Sequence, residues 1–268
     1  MSREFLGNAA MRGKPLTGKS VVVTRPAHQA QAFVRMIKDA GGRAILFPAI
    51  EIRDVKDPWS VTRLVDRLDQ YDFAIFVSPN AVERAMKLIS GRRKFPRRLQ
   101  VATVGGASVR ALERFGITGV LAPQGRYDSE SLLELPALAA VTGRRVVIFR
   151  GEGGRELLGE TLRERGAVVE YAECYRRVRP ELDAAPLLQA WSRNGVDAVT
   201  ATSSEGLRNF AEIIGPPGRE RLHETPVFVP HPRIAEAAQA LGVRKVIVTG
   251  PGDEGMLTGL AAYFGAQR

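Results

Sequence analysis

The chain has 268 residues, 44% of them hydrophobic, with 39 Lys plus Arg against 29 Asp plus Glu and a formal net charge of +10. That length and apolar content support a full buried core and set a prior for two domains, and the positive excess favours anionic partners. A single cysteine, Cys174, excludes an intramolecular disulfide, three scattered histidines leave no zinc-spaced cluster, and no run approaches the roughly 18 apolar residues of a membrane span.

Residues 1–18 carry Arg and Lys without a continuous apolar stretch and read as a mobile tail, not as a secretion signal. From there β-branched runs alternate with amphipathic helical patterns. Strands are expected at 20–24, 44–47, 73–77, 101–104, 119–122, 145–149, 168–172, 197–201, 226–229 and 245–248. Helices are expected at 27–40, 59–69, 79–90, 107–115, 129–141, 154–165, 184–194, 204–214, 232–241 and 253–264. Gly41, Gly116, Gly166 and Gly242 sit just past helix ends, where a left-handed residue is wanted.

The chain also repeats itself. Val21 to Arg25 returns 125 positions later as Val146 to Arg150, and Asp72 to Ser78 returns at the same offset as Asp197 to Ser203. Val101 to Val104 returns as Val227 to Pro230, one residue further on. The fold class is therefore α/β, with two similar parallel-sheet domains of flavodoxin or Rossmann type facing a cleft. Residues 48–53 and 173–178 occupy equivalent repeat positions, prolong strands beyond what a small sheet needs, and are expected to pair as a two-stranded β connector.

In open parallel sheets ligands bind beyond the carboxyl ends of the strands, at turns that lead into helix N-termini. Four such turns are rich in small and hydroxyl residues: Ser78-Pro79-Asn80, Gly105 to Ser108, Gly151 to Arg155, and Thr202-Ser203-Ser204. Plain helix capping also accounts for each of them. Gly151-Glu152-Gly153-Gly154 is a poor dinucleotide fingerprint, because Glu156 stands where the third glycine belongs. Gly18-Lys19-Ser20 lacks the upstream glycine of a phosphate loop and precedes a strand, and no nucleophile, histidine and acid arrangement is readable. The cluster Arg92-Arg93-Lys94-Phe95-Pro96-Arg97-Arg98 reads as a solvated basic loop in preference to a nucleic-acid contact.

These segments together carry a family likeness. Thr24-Arg25-Pro26, Gly41-Gly42, Phe47 to Ile52, Phe76 to Val82, Val104 to Ser108, Arg150 to Leu157 and Tyr175-Arg176-Arg177 resemble, in order and spacing, the uroporphyrinogen-III synthases from about residue 19 to the C-terminus. The resemblance implies closure of linear hydroxymethylbilane to uroporphyrinogen III, with ring D inverted and water lost, without metal or organic cofactor. It implies domains of residues 19–47 with 179–268 and of residues 54–172. It further implies a cytoplasmic monomer that acts on a small molecule, with a transient hand-over from hydroxymethylbilane synthase and no nucleic-acid or membrane partner. The competing expectation is a hinged module that binds a small polyanion without turnover.

By the same resemblance Tyr175 matches the family's recurrent tyrosine, as proton donor to the departing hydroxyl or as a positioning group. Substrate contacts are expected from Arg25, Ser78, Ser108, Arg150, Gly151, Gly154, Arg155, Ser203 and Arg233. Many relatives carry a threonine where this chain has Ile234, and Arg233 is expected to supply that anion contact instead.

Overall fold

A computed structural model of the chain describes residues 14–125 and 128–266. It divides into two compact units, one running to Glu51 and resuming at Val178, the other Ile52–Arg177. The first unit opens with β1 (Ser20–Val23), α1 (Ala27–Asp39) and β2 (Arg43–Leu46). The middle of the chain then supplies β3 (Glu51–Arg53), α2 (Pro58–Asp66), β4 (Phe73–Phe76), α3 (Pro79–Ser90), β5 (Gln100–Thr103) and α4 (Gly106–Glu113). It continues with α5 (Ser129–Leu133), α6 (Pro136–Ala139), β6 (Arg145–Gly151), α7 (Leu157–Glu164) and β7 (Val168–Val178). The return to the first unit adds α8 (Ala185–Ser192), β8 (Ala198–Thr200), α9 (Ser204–Ile213), α10 (Gly215–Glu224), β9 (Val227–Val229), α11 (Pro232–Ala240), β10 (Val246–Val248) and α12 (Gly252–Gly265).

The first unit's sheet has the order β10-β9-β8-β1-β2 with parallel pairs throughout. A parallel sheet covered by helices buries both faces, and the β1 sequence shows it. Val21 and Val23 pack with Phe33, Ile37, Phe228 and Leu260, while Val22 points the other way to Val199, Leu207, Phe210 and Ile234. In the second unit the order is β3-β7-β6-β4-β5. There Ile75 and Ile148 face Leu132, Leu158 and Leu162, and Phe76 and Phe149 face Val82, Met86 and Leu112 with their rings stacked at 4.8 Å.

The repeat holds at the level of strand register. Val21 is paired with Ala198 on one side and Ala44 on the other, and 125 positions later Val146 is paired with Phe73 and Val169. The equivalent partners, Ala44 with Val169 and Phe73 with Ala198, are separated by that same offset. The aspartate before the strand is reused as well. Asp72 accepts from the Arg145 backbone N–H at 2.8 Å and from Arg144, and Asp197 accepts from the Ser20 backbone N–H at 2.8 Å and from Lys19.

The four glycines past helix ends have φ of +85° (Gly41), +75° (Gly116), +84° (Gly166) and +82° (Gly242). Each is followed by an N–H bonded to the carbonyl five residues back, as in Gly42 to Ile37 and Ala167 to Leu162, which satisfies an orphan carbonyl of the last turn.

Four expectations need correction. Residues 1–13 of the expected tail lie outside the described residues, but Leu16 is fully buried and its N–H bonds to the Ala40 carbonyl, so residues 14–18 belong to the fold. The strand expected at 119–122 is a single bridge of Leu121 to Ala102. The helix expected at 129–141 divides ahead of Pro136, whose ring cannot follow a helical residue without clash. Conversely, α10 begins with Gly-Pro-Pro-Gly, and its prolines stand in the first turn, where their missing N–H groups cost no hydrogen bond. The expected connector strands correspond to β3 and the end of β7, which are hydrogen-bonded neighbours.

Candidate active site

In both units the arginine that follows the apolar run of β1 or β6 is committed to internal bonds. Arg150, with its side chain 8% exposed, bonds Glu173 at 3.0 Å and Glu156 at 2.8 Å. Its guanidinium also donates to the Gly154 carbonyl at 3.3 Å and stacks 3.6 Å from the centre of the Tyr171 ring. This gathers the turn 151–156 around one buried cation. Hydrogen bonds from Tyr171 and Arg150 hold the Glu156 carboxyl below the usual range, so the pair stays charged. Arg25, one repeat earlier, bonds Asp253 at the start of α12 and lies over the Phe33 ring.

Ser78 ends β4's turn and caps α3, its Oγ accepting from Ala81 N–H at 3.1 Å. The same Oγ lies 3.1 Å from the Tyr175 hydroxyl, and Tyr175 itself is only 2% exposed. Gly151 lies opposite Tyr175 after a register irregularity between Arg150 and Gly151. Tyr175, Ser78 and Gly151 are thus one cluster at the carboxyl edge of the second unit's sheet, with Gly154 beside the Arg150 side chain. Arg155 is more open and bonds Glu130 at 2.7 Å, which keeps that carboxyl ionised below its ordinary pKa. Ser108 is buried in the first turn of α4.

In the first unit Ser203 caps α9, accepting from Gly206 N–H at 3.0 Å. His231 caps α11 through Nδ1, which accepts from Arg233 N–H at 3.2 Å, and the Arg233 residue is exposed. Ile234 is 5% exposed and packs in the core.

The basic run 92–98 is partly stapled to its own unit. Arg92 makes a bidentate pair with Asp66 at 2.9 Å, and Arg93 bonds Asp69 at 2.7 Å. A cavity of about 650 Å³ is lined by Phe95–Val101 and Gly116–Gly119 at the amino-terminal end of β5, remote in topology from the carboxyl-edge turns. Cys174, whose thiol is pushed up to about 12 by burial, is chemically quiet. Sequence reasoning missed Glu156, Glu173, Tyr171 and Asp253, the partners that occupy the two arginines. Asp253 is 228 residues from Arg25, beyond any local pattern.

The comparisons with known proteins agree on one family. The family model described as uroporphyrinogen-III synthase HemD matches residues 31–258. Uroporphyrinogen-III synthase of Escherichia coli K12 is 33% identical over 240 residues, covering 89% of this chain and 98% of the relative. The Salmonella typhimurium enzyme is 32% identical over the same coverage. Among solved structures, a mutant uroporphyrinogen III synthase of Thermus thermophilus superposes with a TM-score of 0.64 at 21% identity, over 93% of this chain and 100% of that one. The Helicobacter pylori enzyme superposes with a TM-score of 0.57 at 14% identity and the same coverage. These two show a shared fold. The chain belongs to the uroporphyrinogen-III synthase family.

Proposed function

We propose that this chain closes hydroxymethylbilane to uroporphyrinogen III as a cyclising lyase of haem biosynthesis. The observation that carries the reading is family membership over nearly the whole length, and the non-catalytic binding module is not favoured. The substrate is a flexible tetrapyrrole with many carboxylates, which suits a chain of net charge +10 and helix N-termini at the carboxyl edges of both sheets. Loss of water from the terminal hydroxymethyl group gives an electrophilic carbon. Attack by the substituted carbon of ring D, fragmentation and recombination then invert that ring, so orientation is the main task of the protein.

In this proposal the hydroxyl pair Tyr175–Ser78 supplies the proton to the departing hydroxyl, the one acid the scheme requires. Ser108, Ser203, Arg155, Arg233 and the backbone of Gly154 hold carboxylates. Arg25 and Arg150 act one step back, by shaping the turns that carry those groups. We further place the enzyme in the cytoplasm as a monomer that receives its substrate from hydroxymethylbilane synthase; among the described residues no helix is long and apolar enough to cross a membrane. The test is to supply freshly generated hydroxymethylbilane, oxidise the products and separate the uroporphyrin isomers. Predominance of isomer III is expected, and isomer I alone from folded protein contradicts the proposal.

A further inference from the structure

The Tyr175 ring lies against the backbone of Gly151. Gly151 closes β6 with a backbone outside the left-handed region, so conformational freedom does not explain a glycine there. A Cβ at this position would stand 2.7 Å from both Cε2 and Cζ of Tyr175 and 3.1 Å from its hydroxyl oxygen. Real carbon atoms do not approach so closely, and the ring, 2% exposed in a packed core, has little room to retreat. The backbone on the far side is fixed too, since Glu152 N–H donates to the Tyr175 carbonyl at 2.8 Å.

The repeat provides an internal control. The positions of Gly151, Tyr175 and Ser78 correspond, at the offset of 125, to Pro26, Ile50 and Ser203. The serine that caps a helix is kept in both copies, as the fold demands. The glycine and the tyrosine are replaced together. Their joint presence in one copy goes with the close seating of the ring on the backbone and with the hydroxyl it delivers to Ser78.

We propose that Gly151 is a positioning residue whose lack of a side chain seats the Tyr175 ring and so holds the phenolic hydroxyl against Ser78. The inference rests on the synthase reading through the role given to Tyr175. Gly151→Ala is expected to lower kcat for isomer III about tenfold with KM unchanged, because a misplacement near 1 Å costs up to about 10²-fold. In a Tyr175→Phe background the same alanine is expected to cost less than about twofold, since residues that act as a unit are not additive. Equal losses in the two backgrounds overturn the positioning role.

A second cycle reads the seat without turnover. Gly151→Ala lowers the Tm of the otherwise unchanged protein but not that of a Tyr175→Leu variant, in which the ring that meets the methyl group is gone. An equal fall in both overturns the seat itself. Isomer I alone from the unmodified protein overturns the synthase reading, and the Tm cycle still decides the seat.

Discussion

The two units are the same βα plan executed twice, and position-by-position comparison separates what the fold needs from what the chemistry needs. The registers around β1 and β6, the aspartates Asp72 and Asp197 that clamp strand starts, and the caps Ser78 and Ser203 recur at one offset. Such features are what a parallel sheet under helices requires. The units part company at the carboxyl edge. In the first, α1 starts at Ala27, immediately after Pro26; in the second, the corresponding stretch is the turn 152–156 wrapped on Arg150, and α7 starts only at Leu157. Ile50 stands in the first unit where Tyr175 stands in the second. The second unit thus has a polar loop where the first has a helix turn, and a phenol where the first has an aliphatic side chain.

The comparison can be strained first at the paired arginines. Arg150→Ala removes a buried guanidinium with its pairs to two partly exposed carboxylates and its stack on the Tyr171 ring, and should destabilise the protein by about 2 kcal/mol in urea unfolding. Arg25→Ala loses one partly solvated carboxylate and should cost about 1 kcal/mol. Equal losses would show that the loop on Arg150 is not the more heavily built of the two.

The serines separate the units more finely. Ser78→Ala and Ser203→Ala should each lose a cap worth about 1 kcal/mol of stability. Only Ser78→Ala should also lower kcat, by about tenfold, the equivalent of one hydrogen bond at the transition state. Ser203→Ala should act on KM alone, and a matching fall in kcat would erase the distinction between the two caps.

The smallest effect concerns the shared aspartate clamp. The Arg145 backbone N–H, then Arg144, hold the Asp72 carboxyl below its ordinary pKa. Because the folded-state value is depressed, the stabilisation is complete above the unfolded value of about 3.9 and disappears as pH falls through the folded one. Urea midpoints should therefore decline as pH falls below about 5, and Asp72→Asn should flatten part of that slope. An unchanged slope would remove Asp72 from the acid response.

Much of this was legible in the chain because it is local or periodic. The offset of 125 already implied the common registers, and the four glycines announced their left-handed caps. Helix α10 was hidden because Gly-Pro-Pro-Gly is normally read as a break, although a helix start tolerates it. Leu16 was hidden because one apolar residue among basic ones carries no period. For the candidate site, Ser78 was named from its turn and Tyr175 from the family resemblance, but their contact joins residues 97 positions apart. The commitment of Arg25 and Arg150 to carboxylates could not be read, since a free arginine and a paired one look alike in sequence. Tertiary partners decide such roles.

The most direct test sets the two copies against each other in one assay, by measuring the rate of isomer III formation for Tyr175→Phe and for Ile50→Leu beside the unmodified protein. The account predicts a fall of about 10²-fold for Tyr175→Phe, the scale of a lost positioned proton donor, and less than about twofold for the volume-conserving change at Ile50. Comparable rates for the two variants would contradict the claim that the phenol of the second unit carries the chemistry.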